Sequence, residues 1–306
     1  MDLRKVIKNR NTRDKMMYGL SFLPDSIYVS LFYLATMGEL PNLLCPKGFN
    51  EKLQWLKLHN RNKEYKDLVD KLKVRKYIND KLGKEYLFPL LGYWKTFDDI
   101  EFEKLPDEFV LKCNHDSGSV KIIYDKSSLS EKDMGELKAF FDNRMSHDFF
   151  YAGREYPYKG IKRYIFAERL MKSKDHNEGG INDYKFFCFD GIPKIMLCVT
   201  GRQTEKHEDY FDMDYNRLHI QNGCTESKEP PEKPSCFDKM RELAAELSAG
   251  IKHVRVDFYE IDGHIYFGEY TFFSGGGFER FYPDFWEKKL GDWIDLEKVS
   301  QDNQYK

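Results

Sequence analysis

Cysteine is sparse and badly placed for pairing. Cys45, Cys113, Cys188, Cys198, Cys224 and Cys236 are scattered through 306 residues with no C-x-x-C spacing. That pattern argues against a disulfide framework and points to reduced thiols. An excess of one charge is missing too. Lys plus Arg (49) nearly balances Asp plus Glu (51), for a net charge of −2, so no global basic field draws nucleic acid. Long apolar runs are absent: the longest, near "IYVSLFYLATMG", is about half a membrane span. "MDLRKVIKNRNTRDK" has no apolar core of a signal peptide, so a cytoplasmic protein is expected. No G-K-[ST] opens a helix, which excludes a Walker loop, and there is no internal repeat or low-complexity tract.

What remains is a soluble globular composition, 41% hydrophobic and 33% charged, with aromatics heavy at 16%. Such a chain is long enough for one large domain or two modest ones. Pro24-Asp25-Ser26 starts a helix that ends near Gly38, and leucine spacing continues a helical reading from Phe49 to a stop at Gly83. Strands then dominate: "YLFPLLGYW", "EFVLKCNH", "VKIIYD" and "RYIFAERLM". A helix at about 129–145 is expected to open on a capping box of Ser128 and Glu131. A polar loop at 173–182, a strand pair turning at Asp190-Gly191 and an exposed loop at 226–235 follow. A helix ending on Gly250 leads into the final hairpin. The mix is α+β.

Two places carry chemistry. In "FVLKCNHDSGSVKIIYD" a strand delivers Lys112 into a small polar loop, Asn114 to Ser119, whose backbone N–H groups can converge on phosphate. His115 either contacts phosphate or serves as a turn residue. In "VRVDFYEIDGHIYFGEYTFFSGGG" two acids, Asp257 and Glu269, sit inside strands that disfavour them. Asp257 could pair Arg255 or Lys252, and Glu269 could face solvent. A two-residue turn at Asp262-Gly263 would put the acids on opposite faces; a three-residue loop, Ile261 to Gly263, would put them on one face. On one face they repel unless something positive lies between them, and a hard divalent cation is the natural occupant. The glycines at 275–277 read as a flexible exit close to a substrate.

Lys71, Lys112, "FAERLM" and the Asp257/Glu269 hairpin occur in the order seen in ATP-grasp proteins. More narrowly, "FNEKLQWLKL", "LPDEFVLKCNH", "GREYPYKGIKRYIFAERL", "DYKFFCFDGIPK" and "VRVDFY…IYFGEYTF…GFERF" resemble the teichuronopeptide-biosynthesis (TupA-like) ATP-grasp family, from about residue 20 to about 296. The resemblance implies an ATP-grasp fold of two α+β lobes clamping ATP, with an N-terminal helical segment. The expected divisions are 1–65, 66–165 and 166–306. It implies that Lys71 and Lys112 hold the α- and β-phosphates under a loop of Asn114, His115, Ser117, Gly118 and Ser119. Glu168 would meet the adenine amino group and the backbone of Arg169, Leu170 and Met171 the adenine edge. Asp183 and Lys185 would lie near ribose and phosphate, Arg202 would face the γ-phosphate, and Asp257, Glu269 and Thr271 would hold Mg²⁺. Thr271 replaces the usual Asn, which weakens a second metal site, and Asp116 replaces a glycine of the loop. Arg154 could bind an acidic substrate.

The function so implied is ATP-dependent ligation of a carboxylate to an amine through an acylphosphate. A sugar acid of a cell-surface polysaccharide would be joined to an amino acid, with peripheral contact to a lipid-linked glycan. A kinase acting on a sugar hydroxyl, or a non-catalytic nucleotide-binding protein, shares the same residues. The N-terminal helices either hold an acceptor or cap the fold.

Overall fold

A computed structural model describes residues 16–174 and 179–297, so part of the polar loop expected at 173–182 lies outside it. In chain order the helices are α1 (Asp25–Met37), α2 (Phe49–His59), α3 (Tyr65–Val69), α4 (Val74–Lys81), α5 (Glu131–Met145), α6 (Phe150–Gly153), α7 (Phe237–Ser248) and α8 (Phe285–Asp292). The strands are β1 (Leu90–Trp94), β2 (Phe109–Cys113), β3 (Val120–Ile123), β4 (Ile165–Arg169), β5 (Asp183–Phe189), β6 (Ile192–Thr200), β7 (His207–Asp212), β8 (Arg217–Leu218), β9 (His253–Ile261) and β10 (His264–Thr271). They form two compact units: residues 62–152 with 156–171, and the remainder with the insert 153–155.

Two helix boundaries differ from the sequence expectation for local reasons. The stretch from Phe49 is three helices, not one. The second break falls at Asp70, whose Oδ1 accepts from the backbone N–H groups of Leu72 (3.0 Å) and Lys73 (3.3 Å) and so favours a turn over continued helix. α5 opens on Ser130 and Asp133 rather than Ser128 and Glu131. Asp125 already caps the short 3₁₀ turn Lys126–Ser128, which uses up the earlier residues.

The smaller unit is a four-stranded antiparallel sheet in the order β1-β4-β2-β3. Period-two alternation sends Phe109, Leu111, Cys113, Ile165 and Ala167 to one face, where Leu137 and Phe141 of α5 cover them. Residues 110, 112, 166 and 168 therefore share the other face.

The larger unit holds a six-stranded antiparallel sheet, β10-β9-β5-β6-β7-β8. α7 lies on β5, β6 and β9, its Phe237 against Phe186 at 5.9 Å between ring centroids. On the opposite face the lower half is covered from the N-terminus: Phe49 of α2 packs on Phe189, His253 and Phe281. α2 is tied to α8 by Asn50, whose N–H and Nδ2 both donate to the Glu287 carboxylate (2.6 and 2.8 Å). These helices cap the sheet. Gln54 and Lys57 of α2 also donate to the carbonyls of Gly277 and Gly276, each at 2.5 Å. The three glycines are thus a pinned left-handed turn, not a flexible exit.

The hairpin resolves the facing problem in an unexpected way. Ile261 pairs with His264, so the turn is the two-residue Asp262-Gly263, with φ of 52° and 76°. The extra residue sits in the strand: Phe258 pairs with Phe267 but Val256 pairs with Tyr270, so Gly268 and Glu269 together oppose Asp257. This β-bulge resets the alternation and returns Glu269 and Thr271 to the face of Asp257 and Arg255. A Cβ at Gly268 would stand 3.0 Å from the Asp257 carbonyl oxygen and 3.1 Å from the Tyr259 ring, so a side chain here would press on the bulge.

Gly268→Val is expected to lower stability by about 1–3 kcal/mol, read from urea unfolding. A pH effect follows from His253. Its buried ring donates from Nδ1 to the Cys188 carbonyl at 3.0 Å, while Nε2 has no partner. Burial drives its pKa down to about 3. The unfolded chain therefore binds the proton first, and stability falls from about pH 6.5 downward, by roughly 1.4 kcal/mol per pH unit. His253→Phe should flatten that slope between neutral pH and pH 4.5 in the same unfolding measurement.

Candidate functional site

In the smaller unit the uncovered sheet face is an apolar floor with a charged centre. Val110 pairs with Ile122 and Lys112 with both Val120 and Phe166. Val120 and Ile122 remain exposed. Glu168, buried on the same face, is held from two sides: Lys112 Nζ donates to Oε2 and Arg75 Nη1 to Oε1, both at 2.8 Å. Arg75 also donates to the Phe88 carbonyl at 2.7 Å. Arg169 continues the strand, its N–H bound to the Pro89 carbonyl, and Leu170 and Met171 leave it half-buried.

The polar loop after β2 is folded tightly. Asn114 is fully engaged, with Nδ2 donating to Asp70 and to the Lys162 carbonyl (2.9 Å each) and Oδ1 accepting from the Tyr164 N–H (2.7 Å). Asp116 is buried against Arg144 of α5 at 2.5 Å and accepts from the Ser119 hydroxyl. Its charge is thereby neutralised and the loop stiffened. Ser119 accepts from the Cys113 N–H, His115 reaches the Arg144 carbonyl through Nε2 (3.2 Å), and Lys71 donates to the Asp116 carbonyl. Ser117 and Gly118 form the exposed tip.

In the larger unit the upper half of the sheet face opposite α7 carries a charged cluster. The Arg255 guanidinium donates from Nε and Nη2 to the two oxygens of Asp257 (2.7 and 2.8 Å). The same Nη2 donates to Thr271 Oγ1 at 3.0 Å and lies 3.6 Å from Glu269 Oε1. The positive group between the acids is therefore an arginine two residues along the same strand. Register places Lys185 directly opposite Asp257, and its Nζ donates to Oδ2 at 2.5 Å. Lys185 Nζ also stands 3.7 Å from Asp183, which pairs with Arg202 beside the Tyr259 hydroxyl. Burial works to raise the Asp257 pKa, but Arg255 and then Lys185 outweigh it and hold the carboxylate below its ordinary range.

Arg154 lies elsewhere. It is buried, and its Nη2 donates to the carbonyls of Leu20 and Ser21 at 3.0 and 3.2 Å while the guanidinium lies over the Tyr28 ring. Arg75 and Arg144 have no role in the sequence reading, and Arg255 entered it only as one of two alternative partners of Asp257, the one that the structure shows. Arg255 carried a signal, since i and i+2 of a strand share a face and put it beside Asp257. Arg75 and Arg144 are brought in only by packing.

Among the described residues no group of three or more His, Cys, Asp or Glu side chains is placed to hold a metal by itself. The donor set that does converge is Asp257, Glu269 and the Thr271 hydroxyl, all reaching one guanidinium. Two carboxylates suit Mg²⁺, which takes one or two and completes its shell with water and phosphate oxygens. The residues fit that ion.

Arg255→Ala would leave Asp257 buried against Lys185 alone. We expect a loss of about 3–5 kcal/mol at neutral pH. The pH sign is opposite to a gain: in the native chain the depressed Asp257 pKa adds stability above about pH 4 that is lost as pH falls through the folded value. In the variant that contribution shrinks, and acid unfolding should begin at higher pH.

The sequence matches the TupA-like ATPgrasp family model over residues 51–295. No curated protein matches the chain. Similar solved structures include D-alanine–D-alanine ligase from Bacillus anthracis complexed with ATP. It shares 17% identity over 78% of this chain and 68% of that one, with a TM-score of 0.46. Another is the ATP-grasp ligase PsnB complexed with minimal precursor, at 10% identity over 98% of this chain and 76% of that one, TM-score 0.40. The family match spans most of the chain and includes both sheets with their charged faces, so this protein belongs to the TupA-like ATP-grasp family and its α+β architecture is the ATP-grasp fold.

Proposed function

We propose that the chain is an ATP-dependent carboxylate–amine ligase, working in the cytoplasm. The observation that carries this reading is the condition of Asp257, a buried carboxylate kept ionised by Arg255 and Lys185. A hydroxyl acceptor needs a base to take its proton. An acid held below its ordinary range is a poor base and a good anchor for cations. A carboxylate acceptor arrives already ionised and needs no base, which favours ligation over a kinase.

In this reading Lys71 and Lys112 take phosphate oxygens, with N–H groups of the 114–119 loop. Glu168 accepts from the adenine amino group, Arg169, Leu170 and Met171 follow the adenine edge, and the apolar floor of Val110, Val120 and Ile122 suits a base. Asp183 meets the ribose. Asp257, Glu269 and Thr271 would hold Mg²⁺, which when bound offsets phosphate charge. The substrate carboxylate oxygen bonds to the γ-phosphorus and the bridge to ADP breaks. The amine nitrogen then attacks the acyl carbon, the bond to phosphate breaks, and the nitrogen loses its proton. Lys185, Arg202 and Arg255 stabilise the charge that develops, and alignment does the rest. The choice of a uronic acid and an amino acid as partners rests on family resemblance alone.

The test is hydroxylamine trapping. With ATP, Mg²⁺ and a panel of uronates or amino acids, a substrate-dependent hydroxamate should form together with ADP. A phosphorylated alcohol with no hydroxamate would replace this reading with the kinase. Asp257→Asn should cut turnover by about a hundredfold or more; unchanged turnover would sink the assignment of Asp257.

A further inference from the structure

One surface is unused by the reaction and out of keeping with a solvated helix. α1 buries Tyr28, Val29, Tyr33, Thr36 and Met37. Its outer side carries Ile27, Leu31 and Leu34, spaced i, i+4, i+7, and these are 48%, 52% and 42% exposed. Phe22 before it is 78% exposed, and Leu40 and Leu44 after it are 62% and 100% exposed. From Ser26 to Gly38 there is no charged residue. The helix's single charge, Asp25, is tied to Arg61 at 2.9 Å and to Arg154 at 3.7 Å. A surface helix of a globular protein normally shows water its charged side. Beside α1 runs a cleft of about 460 Å³ lined by Leu43, Leu44, Leu58, His59 and Arg61 among others. Exposed apolar side chains grouped along one side of a helix and on its flanks mark an interaction surface.

The charge of the neighbouring chain selects the partner. Residues 1–15 hold Arg4, Lys5, Lys8, Arg10, Arg13 and Lys15 against only Asp2 and Asp14, a local net of +4 in a chain whose total is −2. This cationic run ends at Lys15, seven residues before Phe22. A second copy of the chain carries the same cations and so offers them no opposite charge. An anionic lipid surface satisfies both features, offering acyl chains to the leucines and phosphates to the cations. We propose that α1 and its flanks dock this protein on an anionic membrane surface, with the helix lying in the plane of the interface. α1 is 13 residues long and no described helix is long and apolar enough to span a bilayer, so the mode is peripheral. Docking depends on this strip and holds whatever group the enzyme transfers.

The full chain would be sedimented with vesicles of phosphatidylcholine, pure or mixed equally with phosphatidylglycerol. Binding is expected with the mixed vesicles only, and weakening as salt rises. The triple change Ile27→Ser, Leu31→Ser, Leu34→Ser should lower partitioning by roughly a hundredfold, with circular dichroism and the urea midpoint retained because these side chains face solvent. Replacing Lys5, Lys8, Arg10 and Arg13 by Gln should cost about fivefold per cation and remove the salt dependence. No sedimentation of the unaltered chain, or equal sedimentation of the triple variant, would overturn the proposal. So would a concentration-dependent dimer abolished by the triple change, since that assigns the strip to self-association.

Discussion

Everything on the open face of the larger sheet depends on keeping Asp257 ionised while it is buried. A carboxylate removed from water is costly unless opposite charge and hydrogen bonds surround it. Three features supply them: Arg255 two residues earlier on β9, Lys185 directly opposite on β5, and Thr271 helping to orient the guanidinium. None of these would converge with Glu269 if the hairpin kept a regular register. The bulge at Gly268 brings the second acid round to the same guanidinium, and one residue without a side chain thereby decides the electrostatics of the whole cluster.

The smaller unit solves a similar problem with different parts. Its sheet is sealed on one face by α5 and left open on the other, and Glu168 is the buried acid there. Lys112 reaches it from the adjacent strand and Arg75 from α4. In both units a buried carboxylate holds two cations in fixed positions, Arg75 and Lys112 in one and Arg255 and Lys185 in the other. The 114–119 loop follows the same logic. Asp116 does not leave a stray negative charge near its tip, because Arg144 and Ser119 absorb it.

The N-terminal helices have two sides with different demands. α2 is bound into the large sheet through Phe49 and into α8 through Asn50, and it fixes the glycine turn at 275–277. α1 packs one side on that assembly, its Tyr33 near Phe278. Its other side exposes Ile27, Leu31 and Leu34 to solvent. Capping the fold explains the first side only.

Much was legible in the sequence. The order of Lys71, Lys112, Glu168, Asp257 and Glu269 stood out by resemblance to ATP-grasp proteins, while alternating strands, the Asp-Gly turns and the helices from Asp25 and Phe237 follow from local spacing and composition. These features depend on near neighbours, so a linear reading reaches them. The breaks at Asp70 and Ser130 were already harder, since each turns on which of several side chains claims the same backbone donors. What only the tertiary structure decided is who neutralises whom. Arg75 meets Glu168 across 93 positions, Arg144 meets Asp116 across 28, and Lys185 meets Asp257 across 72. The facing of Glu269 likewise came from a register shift that leaves the alternation of residue types unmarked. Charge pairing acts through space at a few ångströms, and the sequence lists the charges without the distances between them.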